Sequence, residues 1–263
     1  MGLLGEIPGY PPGTWFGNRR ELASTGVHRE NQRGICWIPK GPAESIVVSG
    51  GYEDDQDWGD TILYTGMGGS KNGIQIRDQG LEYGNLALMR SFEQRTPVRV
   101  VRGSRAGSRF SPAHGLRYDG LFRVTDAFYE PGRSGFRVWR FVLTAVDALE
   151  PAPMMTDMQM SLIELYRARC QVCGIATRFR TGMGASAFHI KPQPRPHCGT
   201  DDWSNLLCLC PNHATEMSFG ALSVQPDLTI LGTNVRLRIN PRHELDHEAL
   251  TYRALRYGFA AAR

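Results

Sequence analysis

Residues 44–69 read ESIVVSGGYEDDQDWGDTILYTGMGG, two runs of apolar and β-branched residues joined by a Gly- and Asp-rich link. Ile46–Val48 and Thr61–Tyr64 have the period and side chains of β-strands, with Gly50, Gly51 and the EDDQD run as loop between them. Outward from this stretch the same texture continues. Val98–Val101 and Val138–Leu143 read as further strands, and helices are predicted near Asn85–Ser91 and Asn18–Thr25. The first half of the chain is therefore mostly β. It closes at DALEPAPMMTDMQM (147–160), whose two prolines and lack of strand pattern mark a boundary near residue 150.

A length of 263 residues suits one or two cores, and the boundary makes it two: residues 1–150 and 151–263. Hydrophobic residues make up 41% and charged residues 21%, and no run approaches the ~18 apolar residues of a membrane span. The opening MGLLGEIPGYPPG has no basic segment and is broken by Pro8 and Pro11, so it does not read as a secretion signal. A cytoplasmic protein without a membrane partner is expected. Net charge is only +4, but Lys40, Lys71 and Lys191 are the only lysines among 30 basic residues. Ten arginines fall between Arg95 and Arg140 against Asp119, Asp126 and Glu130. That excess is either a nucleic-acid footprint or the solvated surface of an arginine-rich chain.

In the second half, a helix over Asp157–Tyr166 leads into Cys170-x-x-Cys173, and after 36 intervening residues comes Cys210-x-x-His213. Each pair can present two ligands from one tight turn, so together they suit a tetrahedral structural zinc. Cys208 can compete with Cys210, whereas Cys36 and Cys198 read as ordinary thiols. Beyond them, SVQPDLTILGTNVRLRI (223–239) reads as a hairpin-like strand pair, and HELDHEALTYRALRYGFAAA (243–262) as an amphipathic helix.

Between Cys173 and His213 lies AFHIKPQPRPHCGTDDWSNLLCLC, whose last cysteine, Cys210, opens CPNH. Over about residues 160–224 this order resembles the HNH, or ββα-metal, nuclease family. The resemblance places His189 as general base, Asn205 as the amide that orients it, and Cys170, Cys173, Cys210 and His213 on zinc. It further implies a divalent cation for cleavage, such as Mg²⁺, Mn²⁺, Co²⁺ or Ni²⁺. One departure matters. Where the family continues with a second His and, four residues later, an Asp, this chain has Ala214 and Ser218. Alanine has no donor atom and serine is a weak ligand. Three explanations stay open: an impaired domain, a rearranged site using Asp201, Asp202 or Glu216, or an alanine introduced to inactivate the enzyme.

Taken alone, Tyr52 and Tyr64 read as core aromatics and EDDQD as a solvated loop. The segments GVHRENQRGI, ESIVVSGGYEDDQDWGD, YTGMGG, DQGLEYGNLAL, PVRVVRG, RYDG and GFRVWRFVL change that reading, because in this order they resemble the SRA (SET- and RING-associated, YDG) domain, a reader of 5-methylcytosine. The resemblance runs from about residue 5 to 147. It implies a twisted, β-barrel-like domain with flanking helices, and thus an α+β chain overall. It also implies a pocket for a cytosine flipped out of the duplex. Tyr52 and Tyr64 supply flat faces, and Asp55 accepts from the exocyclic amine and so excludes thymine. Gly50 and Gly51 allow close backbone approach, while Ser49 and Thr65 line the space for the methyl group. Gln32 and Arg33 sit where the family inserts a side chain into the vacated stack. The second inserting loop, GGSKNGIQIRDQ, is short, so no strong hemimethylation preference is expected. Tyr118, Asp119 and Gly120 are read as structural.

The two resemblances together imply a modification-dependent DNA endonuclease that binds duplex DNA carrying 5-methylcytosine or 5-hydroxymethylcytosine and cuts nearby, acting as a homodimer. The alternative is a modified-DNA binding protein whose second domain is a zinc-held scaffold.

Overall fold

The computed structural model of the chain describes residues 2–71, 74–148, 155–176, 178–179, 182–231, 233 and 235–257. The chain forms two compact units, Met1–Glu150 and Pro151–Arg263.

In the first unit the elements run β1 (Trp15–Phe16), α1 (Arg19–Thr25), β2 (Ile35–Trp37), β3 (Ala43–Val48), β4 (Gln56–Asp57), β5 (Thr61–Thr65), β6 (Ser70–Lys71), β7 (Ile74–Gln75), α2 (Tyr83–Gln94), β8 (Pro97–Gly103), β9 (Leu116–Pro131) and β10 (Arg137–Ala145). The strands predicted from sequence lie inside β3, β5, β8 and β10. Helix α1 starts where Asn18 accepts from the amides of Arg20 and Glu21, and stops at Gly26 in the left-handed region.

One mixed sheet organises this unit, in the order β2-β3-β8-β9-β10-β5-β4, with β1 joined to the start of β9. Only the β3–β8 neighbours are parallel. Among the described residues the expected barrel-like closure is not present: the ladder is an open path ending at β2 and β4. Register shifts at Cys36/Trp37, Arg99/Val101 and Val142/Leu143 supply bends without joining the ends. The spine is β9, sixteen residues long, whose first half pairs with β8 and second half with β10. Its residues alternate inward (Leu116, Tyr118, Phe122, Val124) and outward, and the inward ones join Val47, Val98, Val101, Phe141 and Leu143 in near-complete burial. Each such side chain contributes roughly 1.5–3 kcal/mol.

Three of the ten arginines between 95 and 140 belong to this interior and not to a surface footprint. Arg99 is fully buried and donates to the carbonyls of Val27, Leu3 and Gly5. Arg102 forks onto Asp57 and reaches Asp119, and Arg140 pairs with Asp54 and Glu130. Charges taken out of water survive there because each has partners.

The second unit opens with α3 (Asp157–Leu165), whose Thr156 and Gln159 form a reciprocal cap. There follow β11 (Arg178–Phe179), β12 (Gly182–Met183), β13 (Ser186–His189), β14 (Leu206–Leu209), α4 (Pro211–Ser218) and α5 (His247–Tyr257). Strands β13 and β14 pair antiparallel, with His189 opposite Leu206, and α4 starts directly after β14 with Pro211 in its first turn. Behind them pack Val172, Ile190, Leu207, Leu209, Met217 and Leu250. The hairpin expected over 223–239 is instead two tight turns held by the single bridges Val224↔Ile230 and Thr229↔Arg236. Pro226 and Asp227 close the first turn before a ladder can form. The terminal helix begins at His247, not His243, because Asp246 turns its carboxylate onto the amides of Glu248 and Ala249. The part of that expectation beyond residue 257 lies outside the described residues. No helix among the described residues is long and apolar enough to cross a membrane.

Candidate functional site

Two sites stand out, one in each unit. The first opens where the chain leaves β3. Gly50 has φ +69°, and a Cβ there would lie 2.8 Å from the carbonyl oxygen of Arg105, so only glycine fits. The resulting cavity of about 440 Å³ is lined by Val48, Gly50, Tyr52, Asp55, Arg105 and Ser108 among others, within the ~300–1,000 Å³ usual for small-molecule sites. The amide of Gly68 donates to the Tyr52 hydroxyl at 3.1 Å, which fixes the ring from the far side. Asp55 is held by the Thr65 amide, which donates to Oδ1 at 2.7 Å. Burial pushes the Asp55 carboxyl up to about 6, against the opposing pull of the Thr65 amide and Arg140.

Other expected pocket residues are placed differently. Tyr64 is only 4% exposed, and its phenol is pushed well up by burial and by the neighbouring Asp55 and Tyr52. Thr65 is fully buried, and its hydroxyl, like its amide, opposes the upward shift of the Asp55 carboxyl. Both belong to the wall beneath Asp55. Ser49 is exposed, and a Cβ on Gly51 would meet nothing within 4 Å. The backbone at Gly51 is thus open for an incoming group, while Ser49 lines no enclosed space.

Gln32 and Arg33 are exposed on the loop between α1 and β2, Arg33 lying over the Trp37 ring at 5.3 Å. Sequence reasoning missed what roots this loop. His28, fully buried, bonds Ser45 Oγ at 2.8 Å and the Arg33 carbonyl at 3.0 Å. Burial, reinforced by Arg19, lowers its imidazole to about 3, so it stays neutral and donates from Nε2 to Arg33. Arg19 donates to the carbonyls of Asn31 and Arg33. At the loop's end, Gly34 is needed because a Cβ would sit 2.6 Å from the Tyr64 hydroxyl. The loop root and the wall beneath Asp55 therefore meet at Tyr64. Tyr118 donates to Glu6 at 2.7 Å, and Asp119 accepts from Arg102 and Arg117, structural duties as expected.

In the second unit Cys170, Cys173, Cys210 and His213 bring four ligand atoms within 4.8 Å of one another. His213 Nδ1 lies 3.4 Å from Cys170 Sγ and 3.1 Å from Cys210 Sγ. Tetrahedral zinc separates N and S ligands by about 3.5 Å, so the four residues fit the metal. Burial raises the Cys170 thiol, but amides of Cys173, Cys210 and Val172 outweigh it and bring it net below its usual value. Glu216 lies 3.9 Å from His213 Nε2, too far for a hydrogen bond. Cys208 is no rival ligand: it packs among Ile163, Ala168 and Ala185, its amide donates to Gln171 at 2.7 Å, and burial pushes its thiol up to about 12. Cys36 and Cys198 lie outside the cluster.

His189 ends β13, and its Nε2 meets Asp201 Oδ1 at 3.2 Å. The expected orienting role of Asn205 is not what its bonds serve. Its amide accepts from the Lys191 amide and donates to the carbonyls of Lys191 and Thr200, stapling the 190–205 loop that carries Asp201. Ser218 donates its hydroxyl to the Ala214 carbonyl at 2.8 Å, the usual helix back-bond. Ala214 and Ser218 thus offer nothing to a catalytic cation, and the residues at the positions where the family holds that cation do not fit it.

The SAD/SRA domain family matches residues 3–148. Among curated proteins, the histone-lysine N-methyltransferase family member SUVH9 of Arabidopsis thaliana is 41% identical over 153 residues, covering 55% of this chain and 23% of that protein. The E3 ubiquitin-protein ligase UHRF1 of Rattus norvegicus is 39% identical over 172 residues, covering 57% of this chain and 22% of that protein. The chain thus spans less than a quarter of the length of these two relatives. Among solved structures, the modification dependent TagI restriction endonuclease is similar across 96% of this chain and 95% of its own, at 37% identity and a TM-score of 0.55. KRYPTONITE in complex with mCHH DNA, an H3(1–15) peptide and SAH is similar across 60% of this chain and 36% of its own, at 35% identity and a TM-score of 0.51. The match takes in nearly all of the first unit, and the chain belongs to the SAD/SRA domain family.

Proposed function

We propose that the chain is a modification-dependent DNA endonuclease: its first unit takes a flipped 5-methylcytosine or 5-hydroxymethylcytosine into the Tyr52–Asp55 cavity, and its second unit is an HNH-type nuclease stapled by zinc. The observation that carries this reading is the end-to-end likeness to a modification dependent restriction endonuclease, since no other similarity described above spans both units. In it, Tyr52 stacks on the base while Tyr64 backs the pocket from the wall beneath Asp55, Asp55 reads the Watson–Crick edge, Gln32 and Arg33 fill the gap in the stack, and Cys170, Cys173, Cys210 and His213 hold zinc. His189, set by Asp201, takes a proton from the attacking water, and Asn205 keeps the loop in place. Cutting both strands calls for two such sites, hence a cytoplasmic homodimer.

Ala214 and the back-bonded Ser218 favour a second reading, a modified-DNA binding protein whose nuclease site is impaired. Incubating the chain and its Ala214→His variant with methylated and unmethylated plasmid, in Mg²⁺, Mn²⁺, Co²⁺ or Ni²⁺, separates the two. Cleavage of methylated plasmid by either protein supports the nuclease. Methyl-selective binding without cleavage by either leaves the reader and discards the nuclease.

A further inference from the structure

We propose that Asp55 meets the flipped cytosine as a neutral carboxylic acid, so that filling the pocket takes up one proton from solution. The inference rests on the pocket reading above and specifies its chemistry. Cytosine presents a donor at N4 beside an acceptor at N3, and a carboxylate only accepts. Oδ1 of Asp55 already accepts from the Thr65 amide at 2.7 Å, which marks it as the carbonyl-like oxygen with one lone pair left for N4–H. Oδ2 then faces N3. Two lone pairs would oppose each other there, at a buried position, unless a hydrogen lies between them. That proton comes from solvent and sits on the Oδ2···N3 line, so the count is one whichever atom holds it.

The surroundings support a neutral group. Tyr52 faces Asp55 from its own loop, Tyr64 and Thr65 from β5, and Arg105 stands across the cavity with Glu53 and Asp57. Arg140 is the buried cation nearby, and it is already engaged: Nη2 donates to the Asp54 carbonyl at 2.6 Å, Nη1 lies 3.7 Å from Asp54 Oδ1, and Nε lies 4.0 Å from Glu130. Burial therefore dominates, and it lifts the carboxyl to about 6. Near neutral pH the empty site is mostly ionised and must gain the proton on binding.

The test is calorimetric titration of the full chain with a duplex carrying one 5-methylcytosine, at about pH 7.5 in buffers of different ionisation enthalpy. Close to one proton is expected per duplex bound, with affinity falling up to about tenfold per pH unit above pH ~6. Asp55→Asn presents the acid's pattern permanently, its carbonyl oxygen to Thr65 and N4–H and its NH₂ to N3. It is expected to keep the methyl preference, take up no proton at this site and bind with a flat pH profile. Zero uptake by the wild-type protein, or uptake that persists in Asp55→Asn, overturns the inference. Asp55→Ala keeps the two levels apart: if it retains the wild-type methyl preference, the pocket itself is wrong.

Discussion

Asp201 Oδ1 and His189 Nε2 lie 3.2 Å apart, so the carboxylate fixes which ring nitrogen carries the hydrogen and leaves Nδ1 as the basic atom. In whichever form of the protein cuts methylated plasmid, His189→Ala is expected to slow single-turnover cleavage by ~10²–10⁴. Asp201→Asn should slow it by about tenfold with DNA affinity unchanged, because an amide can donate as well as accept and no longer fixes the ring tautomer. A variant with full rate would remove Asp201 from the chemistry.

Zinc analysis of the purified chain should give one metal per molecule, bound by the cluster on α4 and the 170–173 turn. Cys170→Ser is expected to lose it along with the cooperative melting of the second unit, since structural zinc supplies on the order of 10 kcal/mol of folding free energy. Cys208→Ser should keep the zinc and lose only packing. Loss of metal from Cys208→Ser would reinstate it as a ligand.

Arg102 links Asp57 on β4 to Asp119 on β9, all three nearly buried. Arg102→Ala leaves Asp57 without its counter-charge and Asp119 with Arg117 alone, and is expected to destabilise the first unit by about 3–5 kcal/mol in urea denaturation. Arg123→Ala, exposed on the same strand, should stay within ~0.5 kcal/mol. Equal effects at the two positions would mean that the buried network carries no special weight.

Asp55 supplies a pH dependence whose sign is opposite to that of most carboxylates. Its folded value of about 6 lies above the usual 3.8, so folding favours the protonated form. That contribution is complete below pH ~4, fades as pH rises through 6, and above it the buried charge destabilises the unit. Asp55→Asn is therefore expected to melt higher than wild type at pH ~8, by about 1–3 kcal/mol, with the difference shrinking toward pH ~4. A constant difference across that range would contradict the assignment.

At the exposed loop, Gln32→Ala should weaken binding to a methylated duplex without changing its salt dependence, because the side chain is uncharged. Arg33→Ala should lower the slope of log affinity against log salt by close to ~0.9, the value of one phosphate contact. Fluorescence anisotropy over a salt series measures both, and identical slopes for the two variants would place Arg33 away from phosphate.

Much of this architecture could be read beforehand, for physical reasons. Period-two patterning exposes β3, β5, β8 and β10, the Asn18 and Gly26 caps delimit α1, and metal-ligand spacing brings Cys170 to His213 together. Strand β9 escaped because Asp119-Gly120 reads locally as a turn, whereas the strand continues through it with a shift of register against β8 and Gly120 at φ +98°. The open sheet, the buried role of Arg99, Arg102 and Arg140, and the service of Asn205 to a loop all depend on partners far away in sequence. So does the His189–Asp201 pairing. Composition shows that arginine is abundant, but only the fold distinguishes an interior staple from a surface charge.

The loop carrying Gln32 is pinned at its root by a neutral imidazole and by guanidinium-to-carbonyl bonds, all directed at main chain or at Ser45. None of those bonds is made by the side chains at positions 31 and 32, whereas the charge of Glu30 supports Arg19 and lies 3.9 Å from Arg33. Exchange of residues 31 and 32 is therefore expected to leave the chamber behind Tyr64 unchanged in shape.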